Sequence, residues 1–255
     1  MITSTTNDRI KYVTSVVKNT KARRKEGVFV VEGERIAREI PKSALIECFV
    51  SEDYDSADAD PVKLFGCEPT IVASAVFRKM SDTATPQGIL CVCRQSSMSV
   101  SGFLLGRQDK DLKLLVLEGI QDPGNLGTMV RTAEGAGFDA IITDENTVDV
   151  YNPKVTRSTM GSLFRVPVMS ICDIREAIGL LKESSVTVYA ADLAADTSFR
   201  DEVYGRRIAF LIGNEGNGLS EEAVRLADKT VKIPMEGKLE SLNAAVAAAI
   251  LMYSV

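Results

Sequence analysis

Histidine is absent from the 255 residues, and that absence excludes more chemistry than any other feature of the composition. Ser-His-Asp and Cys-His nucleophilic systems, imidazole general bases and histidine-ligated zinc all fall away. Any chemistry here must rest on Arg, Lys, Glu, Asp, Ser, Asn, Tyr or the backbone. Long hydrophobic runs are missing too. No apolar stretch approaches the ~18 residues of a membrane helix, and the opening MITSTTNDRIKY lacks a signal-peptide core. The expectation is a cytoplasmic protein with no membrane partner. Cysteine is sparse, odd in number and scattered, at Cys48, Cys67, Cys91, Cys93 and Cys172, which argues against a disulfide framework. Cys91 and Cys93 sit in the strand-like run GILCVCR with no further soft ligands nearby, so they read as core residues and no metal is expected.

What remains is an ordinary globular composition, 45% hydrophobic and 25% charged, enough for a sizeable core in one large domain or two smaller ones. The net charge of -5 does not suggest a nucleic-acid partner, but its distribution is uneven. Arg9, Lys11, Lys18, Lys21, Arg23, Arg24 and Lys25 form a run with no acidic residue among them. Such a run attracts phosphates whatever the global charge; it also fits a solvated helix face followed by a basic turn.

Two α/β segments emerge from the periodicities. Ile10, Val13, Val16 and Val17 recur at helical spacing, and strand-like runs follow at 28–31, 45–50, 70–72 and 88–94, with helices near 34–40 and 75–80. From Gln95 to about Asp111 the composition shifts to Ser, Gly and charge, which marks a seam, with Phe103 to Leu105 as an apolar run able to dock on one side. The expected organisation is a first domain over 1–95, a linker over 96–110 and a second domain over 111–255. In the second segment strands near 114–117, 140–143, 186–190, 208–212 and 230–233 alternate with helices, the pattern of a mostly parallel sheet.

Ligands of open parallel sheets bind beyond the carboxyl ends of strands, and three loops there carry unusual residues. In LEGIQDPGNLGTMVRTAEGAGF, 117–138, a Gly- and Pro-rich turn leads to Asn125, placed to cap a helix. Leu126, Met129, Val130 and Ala133 form that helix's apolar stripe, with Arg131 on the opposite side. In FLIGNEGNGLSEEA, 210–223, a buried strand runs into a glycine turn before a helix capped by Ser220. The spacing Gly213, Gly216, Gly218 fits neither a dinucleotide fingerprint nor a P-loop. A long turn and a ligand loop both remain open. In VKIPMEGKLESLNAAVAAAILMY, 231–253, Ser241 is placed to cap a helix that is apolar on nearly all faces, which must be buried in a core or an interface.

In this order and spacing the three loops resemble the signature motifs of the SpoU (TrmH) family of RNA methyltransferases, within the SPOUT superfamily. The matching residues are Asn125, Gly127, Arg131, Thr132 and Ala133; Gly213, Glu215, Gly218 and Leu219; then Ile233, Pro234, Met235, Ser241, Leu242 and Asn243. NPKVTRSTMGSLFRVPV, 152–168, resembles the family's middle segment. GVFVVEGERIAREI, 27–40, is similar to its N-terminal RNA-binding domain, chiefly at Phe29, Glu32, Gly33 and Glu34.

The resemblance implies an α/β protein whose C-terminal SPOUT-type knotted parallel-sheet domain follows a smaller α/β RNA-binding domain. It implies S-adenosylmethionine as cofactor, a ribose 2′-hydroxyl of RNA as acceptor, and a homodimer. The auxiliary domain inclines the substrate towards ribosomal RNA. The alternatives are transfer RNA, a non-catalytic RNA-binding module on the same fold and, disfavoured by its misplaced glycines, a Rossmann-type nucleotide enzyme. Thr159, Gly161, Gly213, Ile233, Met235 and Leu242 become expected cofactor-binding residues. Lys21, Arg23, Arg24, Lys25, Glu32 and Arg35 become expected RNA contacts. Arg131, Asn125, Glu215, Ser241 and Asn243 become the expected catalytic set. The resemblance implies the key role for Arg131, often as general base; guanidinium pKa values lie above about 12, so the favoured expectation is that it acts charged, lowering the hydroxyl's pKa or fixing a phosphate by a bidentate contact. Asn125 is expected to orient the nucleotide, and Glu215, Ser241 and Asn243 to shape loops and position substrate.

Overall fold

The structure is a computed structural model that describes residues 1–54 and 68–255; Cys67 lies outside the described residues. In chain order the elements are α1 (Asp8–Lys18), α2 (Thr20–Glu26), β1 (Val28–Glu32), α3 (Glu34–Ala37), β2 (Leu45–Ser51), β3 (Thr70–Val72), α4 (Ser74–Met80) and β4 (Ile89–Arg94). There follow α5 (Val100–Leu105), β5 (Leu112–Leu117), α6 (Pro123–Gly135), β6 (Ala140–Thr143), α7 (Pro153–Thr159), a 3-10 turn (Ser162–Phe164) and β7 (Val168–Ser170). The last are α8 (Ile174–Glu183), β8 (Thr187–Ala191), β9 (Arg207–Ile212), α9 (Glu221–Leu226), β10 (Lys229–Val231) and α10 (Ala244–Met252). Two compact units result, residues 1–95 with 149–164, and 96–148 with 165–255.

In the first unit the strands lie in the order β1-β4-β2-β3. β4 is antiparallel to β1 and β2, and β3 is parallel to β2. Every residue of β1 is buried, because the sheet is covered on both faces. Val28 and Val30 pack with the stripe Ile10, Val13, Val16 and Val17 of α1 and with Val76, Phe77 and Met80 of α4. Phe29 and Val31 face the other way, with Cys48, Cys91, Cys93, Ile36 and Ala37. Tyr151, Leu163 and Phe164 close that second layer, so the middle segment completes the core of this unit. Burial, with the nearby Cys48, pushes the Cys93 thiol far up, which keeps it an inert core group. Cys172, in the other unit, is exposed.

The second unit is a six-stranded sheet in the order β10-β8-β9-β5-β6-β7, and all its pairings are parallel. After β7 at one edge the chain crosses to the far side for β8, then inserts β9 between β8 and β5. The loops that follow β5 and β9 are therefore side by side. Residues 96–110 are not a bare linker. Ser99 caps α5 through the Gly102 amide at 3.1 Å, and Val100, Phe103 and Leu104, at helical spacing, enter the core with Leu112, Leu181 and Val188.

Candidate active site at the carboxyl ends of the strands

Two carboxylates tie the loops after β5 and β9 together, one from each side. Glu118 accepts from the Ser220 amide at 2.8 Å and the Ser220 hydroxyl at 2.7 Å, while that hydroxyl also accepts from Ala223 N at 3.1 Å and caps α9. Reciprocally, Glu215 accepts from the amides of Gln121 and Asp122, both at 3.1 Å, and from Asn125 Nδ2 at 3.0 Å. Asn214, which carries no local signal that would single it out, adds a third tie: its Nδ2 donates to the Gly119 carbonyl at 2.7 Å. Its Oδ1 accepts from the Gly216 and Asn217 amides, an Asx turn that shapes the glycine loop.

Gly213 is glycine for a backbone reason. A Cβ there would lie 2.1 Å from the carbonyl carbon of Gly218, because the loop folds back on itself through hydrogen bonds in both directions between Asn214 and Gly218. The loop's own return needs the missing side chain.

The third loop joins through Asn243. Its Nδ2 donates to Asn125 Oδ1 at 3.0 Å, and its Oδ1 accepts from the Ala245 and Val246 amides. Asn243 therefore caps α10, and the expected cap Ser241 is an exposed loop residue two positions earlier. The cap of α6 is likewise displaced: Asp122 accepts from Asn125 N at 2.8 Å, with Pro123 at the first helical position, where its missing N–H costs nothing. This frees the Asn125 side chain to link Glu215 to Asn243. Burial alone would raise the Glu215 pKa. The hydrogen bonds from the Asn125 side chain and from the amides of Gln121, Glu215 and Asp122 outweigh it and hold the carboxyl below its ordinary value.

Beside this network lies a cavity of about 390 Å³, within the range of small-molecule sites. Of the residues expected at the cofactor, Gly213, Ile233, Met235 and Leu242 line it, as do Glu215 and Ser241. Thr159 and Gly161 do not. Thr159 is buried in the first unit with its hydroxyl donating to the Thr156 carbonyl at 2.8 Å, and Gly161 takes a φ of 94° after α7. Arg131 is also outside the lining; it is exposed on α6 and has no hydrogen-bond or ion-pair partner among the described residues. Asp192, Lys232 and Glu240 are lining residues that sequence reasoning missed. Asp192 had a usable signal, since it directly follows the parallel strand β8. Asp192, Glu215 and Glu240 set three carboxylates against the single ammonium of Lys232, and such a wall favours a cationic ligand. Ile212, Val231, Ile233 and Ala247 give the cavity an apolar side.

In the first unit, Lys21, Arg24, Lys25 and Arg35 are exposed, as RNA contacts must be. Arg23 and Glu32 are not. Arg23 is only 2% exposed; it pairs with Asp149 at 2.7 Å and donates to the carbonyls of Val16 and Val17 at 2.9 and 3.0 Å. It thereby satisfies the last turn of α1. Glu32 accepts from the hydroxyls of Ser81 and Thr83 and from the Asp82 amide, holding a loop in place. Both are structural, and their partners lie too far along the chain for the sequence to reveal them.

Residues 113–253 match the SpoU rRNA Methylase family, and residues 7–91 match the MRM3-like substrate binding domain. The chain is 33% identical over 234 residues to the 23S rRNA (guanosine(2553)-2'-O)-methyltransferase RlmP of Bacillus subtilis, covering 91% of this chain and 90% of that one. The AdoMet-bound rRNA methyltransferase from Sinorhizobium meliloti is 26% identical with a TM-score of 0.86, over 99% of this chain and 95% of that one. The SpoU methyltransferase AviRb from Streptomyces viridochromogenes, in complex with AdoMet, is 25% identical with a TM-score of 0.86, over 97% and 96% of the two chains. Three motif loops held in one network beside a cavity, on a parallel sheet shared with these proteins, place the chain in the SpoU family of S-adenosylmethionine-dependent RNA methyltransferases.

Proposed function

We propose that this protein methylates a ribose 2′-hydroxyl of ribosomal RNA in the cytoplasm, acting as a homodimer. The observation that carries the reading is the Glu215–Asn125–Asn243 chain of hydrogen bonds, which fixes all three motif loops around one cavity. The lining fits S-adenosylmethionine: an apolar side suits adenine, and excess carboxylate suits a sulfonium and an ammonium. Gly213, Ile233, Met235 and Leu242 would hold it, with Asp192 and Glu240 supplying charge. When bound, the cofactor supplies an electrophilic methyl group on sulfur. The chain's own contribution is alignment of the acceptor oxygen and exclusion of water, which supply much of the acceleration in such transfers.

Arg131 is the charged group for the acceptor, favouring loss of the hydroxyl proton or gripping a neighbouring phosphate. Because it lies outside the cavity lining of its own chain, a second copy brings it to the site. α10 offers the surface for that copy. Ala244, Ala245, Ala248, Leu251 and Met252 are buried, yet Val246 is 48% exposed on a helix without a charged residue, and Tyr253, its C-cap, is 67% exposed, the kind of apolar face that a partner covers. The direct test incubates the protein with methyl-labelled cofactor and unmodified 23S ribosomal RNA transcript, then locates the label. Methyl on a ribose 2′-oxygen is expected. Label on a base, or cofactor binding without transfer to any RNA, would refute the proposal.

A further inference from the structure

The first unit carries a second concave site, which takes in Lys11 and Lys18 of the basic run and adjoins Lys21. Lys11, Thr14, Ser15 and Lys18 occupy one face of α1 at the spacing i, i+3, i+4, i+7, opposite the buried stripe of that helix. Together with Asn19 and with Lys79 of α4 they line a cavity of about 510 Å³. No carboxylate is in the lining. Asp8 reaches Lys11 at 3.2 Å, but that carboxylate is 98% exposed, and such a surface pair contributes little. Lys18 and Lys79 are exposed and have no ion pair or hydrogen bond among the described residues. Asn19 spends its Oδ1 on the Lys21 amide at 2.8 Å, which leaves its Nδ2 as a donor.

We propose that this groove between α1 and α4 grips the sugar-phosphate backbone of the RNA substrate. Three ammonium groups set among hydroxyl and amide donors match phosphate oxygens. With no aromatic ring in the lining to stack a base, the contacts position RNA without reading its sequence. The basic run of 21–25 is a weaker candidate, since Arg23 is buried within it and Lys25 lies 3.7 Å from Glu26. The inference rests on the methyltransferase reading above.

The test measures binding of a 23S ribosomal RNA transcript across a salt series, for the full-length protein and for Lys18→Gln/Lys79→Gln. Each lost lysine–phosphate contact lowers the slope of log affinity against log salt by about one, so the double variant should lose about two. S-adenosylmethionine affinity and melting temperature, read in parallel, should not move, which shows that the fold is intact. A second variant, Lys18→Glu/Lys79→Glu, should weaken binding further. Wild-type affinity and slope in both variants would overturn the groove while leaving the methyltransferase reading standing. A wild-type protein that binds cofactor but no RNA would overturn both.

Discussion

Replacing Glu215 with Gln isolates the bond that holds two motif loops together. Oε1 of Glu215 accepts from Asp122 N and Asn125 Nδ2, and Oε2 accepts from Gln121 N. A glutamine can set its carbonyl at the Oε1 position and keep two of these bonds in neutral form. Its amide nitrogen then faces the Gln121 N–H, donor against donor. Hydrogen bonds to charged groups are worth about 1.5–3 kcal/mol and neutral ones about 0.5–1.5. Glu215 is exposed, so water and screening reduce the difference to about 1 kcal/mol at pH 7. For a chain of this size that is a fall of roughly 2–4 °C in melting temperature. If the displaced loop also deforms the cavity, the same 1 kcal/mol weakens cofactor binding by roughly fivefold.

The pH dependence carries the sharper signature. Its hydrogen bonds hold the folded Glu215 carboxyl below its ordinary 4.5. Its contribution is therefore fully present above that value and is lost as pH falls through the lower, folded value. Paired denaturation curves should differ at pH 7 and converge well below pH 4.5, whereas the glutamine's own bonds do not titrate. Equal stability of the two proteins at pH 7, or a gap that persists unchanged into acid, would refute the assignment of Glu215 as the tie between the loops.

Arg131→Ala should leave cofactor affinity intact while transfer to RNA falls by about 10²-fold or more, and Arg131→Lys should not restore it if the planar fork matters; methyl transfer from labelled cofactor measures both. Gly213→Ala forces a Cβ to within 2.1 Å of backbone, so calorimetry should find cofactor binding abolished along with a lowered melting temperature. Asp149→Ala strands the buried Arg23 charge and should cost about 3–5 kcal/mol in denaturant unfolding, whereas Arg24→Ala, on the exposed neighbour, should be near neutral. Val246→Glu puts a charge on the exposed apolar face of α10; sedimentation should report monomers, with transfer lost.

Much of the fold could be read because its signals are local. The stripe Ile10, Val13, Val16 and Val17 is set by helical spacing alone, and the apolar runs at 114–117 and 208–212 declare strands buried on both faces. The failures share one physical cause, which is that the deciding partner is distant in sequence. Arg23 reads as a surface cation until Asp149, 126 residues on, is placed beside it. The run 103–105 reads as able to dock on one side of the seam, but the part of Val100 and the partners Leu181 and Val188 are too distant in sequence to be named. The helix caps slipped for a subtler reason. Asp122 and Asn125 are both competent caps, and the choice turned on which of them Glu215 and Asn243 needed.

That choice bears on how the motif residues should be read. Asn125, Glu215 and Asn243 are separated by up to 118 positions, yet each satisfies another's hydrogen bonds, and Asn243 is at once a helix cap and a partner of Asn125. Removing Asn125 unpairs both of the others, and removing Glu215 or Asn243 takes one partner from Asn125, so each substitution disturbs loop, cavity and cofactor together. Lost activity at these positions therefore measures the integrity of the site and assigns no chemical step. Arg131 differs in kind. It is exposed, holds nothing in place among the described residues, and carries a charge that the fold does not use. Of these four residues, Arg131 is the one at which a defect confined to transfer is interpretable as chemistry, because its side chain has no structural duty to lose among the described residues.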